Sequence, residues 1–154
     1  MPKFSYLPNL NDAFTPLSDP QLAILRKQVE SEGTDPTIQS LFNYAWGLVK
    51  SKDKGDNKQG INILTGIFKK EPSRRRECLY YLSVGCYKIG EYKESERYVN
   101  VLLDHEPDNL QAKELKDEIH NELAKNSVIG LAILSGLTAA GVGLASVLLR
   151  RKRN

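Results

Sequence analysis

Metal centres and nucleophilic catalysis need residues that this 154-residue chain has little of: it holds two cysteines and two histidines. Cys78 and Cys86 make no CxxC pair, and on one helix they stand about 80° apart around the axis, too distant to bridge. They read as small buried apolar side chains in a reducing compartment. His105 and His120 lie fifteen positions apart, with no acidic or cysteine geometry that suggests metal ligation. No Gly-rich phosphate loop and no nucleophile elbow occurs. Catalysis, a metal and a cofactor are therefore not expected. No segment sustains period-two alternation between hairpin turns, which argues against a sheet. The opening MPKFSYLPNLNDAF has neither the apolar run nor the small-residue site of a secretory signal, nor the Arg-rich character of a transit peptide, so the amino end is expected in the cytosol.

Acidic residues are absent after Glu122, while the chain closes on Arg150, Arg151, Lys152 and Arg153. The net charge of +3 belongs to that tail, and the remainder is close to neutral, so the overall basicity is no argument for nucleic-acid binding. Between Lys125 and Arg150 there is no charge at all. A helix from Val128 to Leu149 reaches about 33 Å, enough for a hydrocarbon core of ~30 Å. Its polar residues, Ser135, Thr138 and Ser146, can return their hydroxyls to the helix backbone. The sequence thus predicts a transmembrane tail anchor over 127–149 and a basic tail over 150–154. The basic residues beyond the span run against the positive-inside bias; with the Gly/Ala-rich span they resemble mitochondrial outer-membrane anchors, with peroxisomes as a second address. Arg150 to Arg153 are the expected targeting residues. Ala132, Gly136 and Ala140, then Gly141 and Ala145, have the small-xxx-small spacing through which two spans can approach as a homo-oligomer.

Ahead of the span the signals are helical. SDPQLAILRKQVESEG has Ser18 or Asp19 as cap, Pro20 in the first turn and Gly33 as stop. TDPTIQSLFNYAWGLVKS opens with Asp35 before Pro36. Four further segments, starting at Asn57, Ser73, Tyr92 and Asn109, complete six helices. The fold class is all-α, over 18–125, with an amino-terminal arm over 1–17.

Two of these segment pairs repeat. Leu79, Leu82, Ser83 and Cys86 match Leu41, Tyr44, Ala45 and Leu48 at a shift of 38, and Ser95, Val99, Leu102 and Pro107 match Gly60, Leu64, Ile67 and Pro72 at a shift of 35. The difference falls in the charged stretch SKDKGDNK, where insertions are tolerated. Small residues at 45 and 83, and at 60 and 95, mark close approach of paired helices. The pattern is tetratricopeptide-like: two repeats, with the first and last helices capping the stack.

The first helix of each repeat carries a second apolar stripe. Tyr80, Val84 and Tyr87 in one repeat match Phe42, Trp46 and Val49 in the other, on what should be a concave, accessible surface. Such patches mark partner sites. The competing reading is that the stripe is core. A further one is intramolecular: Phe4, Tyr6, Leu7, Leu10 and Phe14 of the arm are too apolar for a solvated tail and could lie in the groove as an internal ligand. An arm closed by ~2 kcal/mol would lower a partner's apparent affinity about 30-fold.

With LFNYAWGLVKS followed by SRRRECLYYLSVGCYKIGEY, two repeats and a carboxyl-terminal anchor, the chain resembles the mitochondrial fission 1 protein family from about Leu17 to the basic tail. The extended arm resembles its fungal members. The resemblance implies a receptor on the mitochondrial outer membrane, found also on peroxisomes. Such a receptor recruits a dynamin-related GTPase, in fungi through a WD-repeat adaptor whose helical segment grips the repeats. The positions it implies for the groove are Phe42, Trp46, Glu77, Tyr80, Val84 and Tyr87. RRRE at 74–77 reads as surface ion pairing, with contact to an acidic partner segment as the alternative, since no wider basic surface supports nucleic acid. The rival function is a tail-anchored tetratricopeptide receptor for chaperones or precursor proteins. Its chaperone ligands end in a carboxylate and need Lys and Asn in the groove, where this stripe offers Phe, Trp, Val and Tyr.

Overall fold

The computed structural model describes residues 7–136, and side chains as far as Asn126. Among these, six α-helices follow a short 3₁₀ helix in the arm, Leu10–Phe14: α1 Asp19–Ser31, α2 Ile38–Lys50, α3 Lys54–Lys70, α4 Arg75–Lys88, α5 Tyr92–His105 and α6 Leu110–Gly136. The chain divides into two compact units, Met1–Ile119 and His120–Asn154. In the first, α2 with α3 and α4 with α5 form two antiparallel hairpins, α1 packs on α2, and α3 joins the hairpins by packing on α4.

Capping sets the helix starts. Ser18 accepts from the Gln21 amide while the Gln21 side chain accepts from the Ser18 amide, a reciprocal box. Helix α2 departs from the expected start. Its cap is Thr37, whose hydroxyl accepts from Ser40 N, and Asp35 and Pro36 stay outside. The Glu32 carboxylate fixes this turn by accepting the Thr37 amide at 2.9 Å. Helix α3 starts three residues before Asn57, because Asp53 caps it by accepting from Asp56 N. That stabilises a first turn which the charged, Gly-containing stretch had suggested as loop. Helices α1 and α4 end before Gly33 and Gly90, at φ 74° and 80°, values that favour glycine.

The small residues matched between the repeats sit at the two helix crossings. In the first hairpin a Cβ on Gly60 would lie 2.7 Å from the Ala45 carbonyl oxygen. In the second, Ser83 Oγ donates to Ser95 O at 2.8 Å and Ser95 Oγ to Ser83 O at 2.6 Å. A glycine brings one pair of backbones together, and reciprocal serines join the other. Around these crossings Leu48, Leu64, Leu82, Val99 and Leu102 form the core, with Ala112, Leu115 and Ile119 of α6 also buried.

Helix α6 does not break at residue 127, where the span was expected to begin, and residues 127–136 continue it. The rest of the expected anchor, 137–149, and Arg150, Arg151, Lys152 and Arg153 lie outside the described residues, as do Phe4 and Tyr6. Among the described residues no helix is long and apolar enough to cross a membrane.

Candidate functional site

The facing sides of α2 and α4 meet through aromatic rings. Tyr81 stands edge-on to Phe42 at 4.6 Å and to Trp46 at 4.9 Å, between centroids, with interplanar angles of 78° and 90°. Such edge-to-face pairs are each worth ~0.5–1.5 kcal/mol beyond burial. Cations flank the rings, with Arg74 over Phe42 at 6.0 Å and Lys50 over Trp46 at 5.9 Å. Glu77 orients Arg74 by an ion pair at 3.0 Å, and the same guanidinium donates to Gln39 Oε1 at 2.7 Å, joining the start of α4 to α2. Arg75 donates to the Phe68 carbonyl, and Arg76 pairs with Glu106, so the RRRE arginines are each engaged.

The expected stripe is not uniformly accessible. Val49, Val84, Tyr80 and Phe42 are buried, at 0%, 0%, 2% and 7% exposure, whereas Trp46 and Tyr87 are half-buried. Val49 is a correction in direction too. Its Cγ2 lies 3.0 Å from the Cβ position of Gly60 and 3.7 Å from that of Gly85, which puts it in the core between α2, α3 and α4. Seven residues after Phe42 the helix has turned about 700°, 20° short of two full turns, and the close approach at Gly60 draws this edge of α2 inward.

Tyr80 is buried against the arm. Its hydroxyl donates to the Pro8 carbonyl at 2.6 Å, and Gln111 Nε2 donates to the Leu7 carbonyl at 2.7 Å. Burial first, then Glu114 and Asp12, push the Tyr80 phenol up to about 12, so it remains a donor throughout the neutral range. Leu7, Pro8 and Ala13 are buried; Leu10 is half-buried and Phe14 is 52% exposed. The Phe14 ring meets Tyr87 edge-on at 6.3 Å. The arm therefore runs along α4. Beside it lies a cleft of about 610 Å³, walled by Asn9, Leu10, Asn11 and Phe14 of the arm, Tyr80 and Tyr87 of α4, and Gln111, Glu114, Leu115, Asp117 and Glu118 of α6.

Sequence reading missed Tyr81 and Lys88. Tyr81 has no aromatic counterpart at the repeat shift, where Asn43 stands, so repeat matching passed over it. The two cysteines are free and buried, their thiols pushed up by burial to about 11 and about 12. Among the described residues no group of His, Cys, Asp and Glu is placed to hold a metal ion.

Stacked helix hairpins presenting an aromatic inner face beside a docked extended segment define a tetratricopeptide-type receptor domain. Comparison with known proteins agrees with that class. Residues 39–71 match the family model described as Fis1 N-terminal tetratricopeptide repeat, and 76–128 match the Fis1 C-terminal tetratricopeptide repeat. The mitochondrial fission 1 protein of Saccharomyces cerevisiae is 50% identical over 154 residues, covering 99% of both chains. Yeast Fis1 crystallised with an Mdv1 fragment containing N-terminal extension and coiled-coil domains aligns with a TM-score of 0.78 and 52% identity, covering 81% of this chain and 99% of that one. Yeast Fis1 complexed with a Caf4 fragment aligns with a TM-score of 0.61 and 59% identity, over 62% and 99% of the two chains. The chain belongs to the mitochondrial fission 1 protein family.

Proposed function

We propose that the chain is a tail-anchored receptor that captures a fission adaptor on its repeat domain and through it recruits a dynamin-related GTPase, which does the work of constriction. The observation that carries this reading is the cleft between arm, α4 and α6, which mixes apolar and aromatic side chains (Leu10, Phe14, Tyr80, Tyr87, Leu115) with polar ones and remains open with the arm in place. The yeast relatives solved with Mdv1 and Caf4 fragments support an adaptor segment as the ligand class. Of the arm residues, Leu7 is buried with its carbonyl held by Gln111, and Leu10 and Phe14 form a wall of the cleft, so the arm acts as part of the receptor surface. The cleft's charged side chains are Glu114, Asp117 and Glu118. A terminal carboxylate, the ligand of chaperone-binding repeats, would be repelled there.

The groove set is then Tyr87 as the contact in the cleft and Trp46, half-buried beside Tyr81 on the α2–α4 face, as a second contact, with Phe42, Glu77, Tyr80 and Val84 in supporting roles. Tyr87→Ala tests it. The side chain is half-buried and lines the cleft, so truncation should weaken an adaptor fragment about 10-fold or more, or ~1.4–2 kcal/mol. Titration calorimetry measures this, with helicity by circular dichroism unaltered. Unchanged affinity would remove Tyr87 from the contact surface.

The anchor over 127–149, ending in Arg150 to Arg153, would place the receptor on the mitochondrial outer membrane with its repeat domain in the cytosol, and on peroxisomes as well. Small residues along the span would support homo-oligomers. In cells lacking the gene, mitochondria should become long fused tubules, rescued by the full chain and not by one ending at residue 126. Rescue by the anchorless chain would rule out an essential anchor.

A further inference from the structure

Lys88 closes α4, and its ammonium donates to two carbonyls, Ala13 O at 2.6 Å and Ser51 O at 2.8 Å. It also lies 5.5 Å from the centroid of the Phe14 ring. Both carbonyls belong to helix ends: Ala13 is in the last turn of the arm's 3₁₀ helix, and Ser51 is the C-cap of α2. Carbonyls at such ends have no partner within their own helix and carry the negative pole. The α2 end is held from the other side by Asn57, whose buried amide donates to Leu48 O, Val49 O and Ser51 O at 3.0, 3.0 and 2.8 Å. One nitrogen thus gathers the end of the arm and the end of the first repeat's inner helix onto the second repeat.

No carboxylate among the described residues pairs with this ammonium. On the elements it touches, Asp12 accepts the Asn9 amide and acts on Tyr80, Asp53 accepts the Asp56 amide, and Asp56 accepts the Ser51 hydroxyl. The charge acting on it is Lys50 of α2. Two carbonyl dipoles and a ring face hold it.

We propose that Lys88 is the residue that positions the arm, clasping the arm's carboxyl-terminal end to α2 and so forming the wall of the cleft. Tyr80 and Gln111 fix where the arm begins; Lys88 fixes where it ends. The importance of the clasp for adaptor capture rests on the receptor reading above, whereas the clasp itself is tested on the arm alone.

The experiment uses the full-length chain in detergent micelles. Hydrogen exchange over residues 7–17 is followed at pH 7 in the parent, Lys88→Arg and Lys88→Met, alongside carbon-13 titration of the lysine side chains in the parent. Lys88→Met should lose about ten-fold or more of its protection over the arm while α4 and α5 keep theirs, and Lys88→Arg should stay near the parent. Burial, and after it Lys50, lower the Lys88 ammonium from 10.5 to about 8. The docked arm therefore binds this proton more weakly than a released one. Docking is insensitive to pH below about 8 and tightens as pH rises above it, because the arm contributes to that burial, the neutral amine keeping two N–H donors for its two carbonyls. Lys88 should accordingly titrate well below the other lysines, with the Ala13 and Phe14 amide signals following it. Equal arm protection in Lys88→Met and the parent overturns the proposal. So do Ala13 and Phe14 amide signals that ignore the Lys88 titration; this second measurement needs no substitution, so a misfolded variant cannot blur it.

Discussion

Gly60→Ala is expected to destabilise the repeat domain by about 2 kcal/mol, lowering its melting temperature by roughly 10 °C. On most exposed helix positions this substitution is stabilising by ~1 kcal/mol, through helix propensity. At Gly60 the added methyl would lie 2.7 Å from the Ala45 carbonyl oxygen, 3.0 Å from Val49 Cγ2 and 3.1 Å from Val49 N. Two of these are backbone atoms of a facing helix and cannot rotate away, so α2 and α3 must separate. Separation loosens Leu48, Val49 and Leu64 together, all at 0% exposure. Gly66→Ala, six residues along the same helix, meets nothing within 4 Å and supplies the control. It should melt at or above the parent by circular dichroism. If both variants melted alike, the first hairpin would not depend on close backbone contact at this crossing.

The crossing at Gly60 was legible in the sequence because it repeats. A small residue on each helix of a hairpin, matched thirty-five or thirty-eight positions later, is a signal that survives when the residue types differ, as they do between Ala45 with Gly60 and Ser83 with Ser95. Helix stops at Gly33 and Gly90 were equally plain, since each needs a positive φ. Starts were harder. Thr37 and Asp53 won as caps over neighbours of similar propensity, and the choice depended on side-chain bonds between Thr37 and Glu32, and between Asp53 and Asp56.

At the site, periodicity marked a stripe but not its depth. Trp46 and Val49 lie three positions apart, and local pattern cannot tell that one faces Tyr81 and the other Gly60. Contacts to the arm are further still from local pattern. Tyr80 reaches back 72 residues to Pro8, Lys88 75 to Ala13 and Gln111 104 to Leu7. In all three the arm supplies only a backbone carbonyl, a group that every residue has and no sequence motif marks. The arm's apolar residues signalled that it packs somewhere; which side chains receive it became visible only with the fold.

Removing residues 1–16 is expected to weaken capture of an adaptor fragment about 30-fold or more, the equivalent of ~2 kcal/mol or above. The deletion strips Leu10 and Phe14 from one wall of the cleft and uncovers Tyr80, which is 2% exposed with the arm in place. Tyr80 and Gln111 lose their carbonyl acceptors and Lys88 loses one of two, and all three must then be satisfied by water in the emptied groove. A plug and a wall predict opposite signs. If the arm merely occupied the partner's place, its removal would tighten binding by a similar factor, because the cost of displacing it would vanish. The remaining cleft argues for the wall: an arm that filled the groove as a plug would leave no open volume lined by its own Asn9, Asn11 and Phe14. Calorimetric titration of the truncated and complete chains with one adaptor fragment reads the sign directly, provided circular dichroism shows that the truncated repeats keep their helices. Tighter binding after truncation would transfer the contact surface to Tyr80 beneath the arm, and would turn the Lys88 clasp from a support of capture into a brake on it.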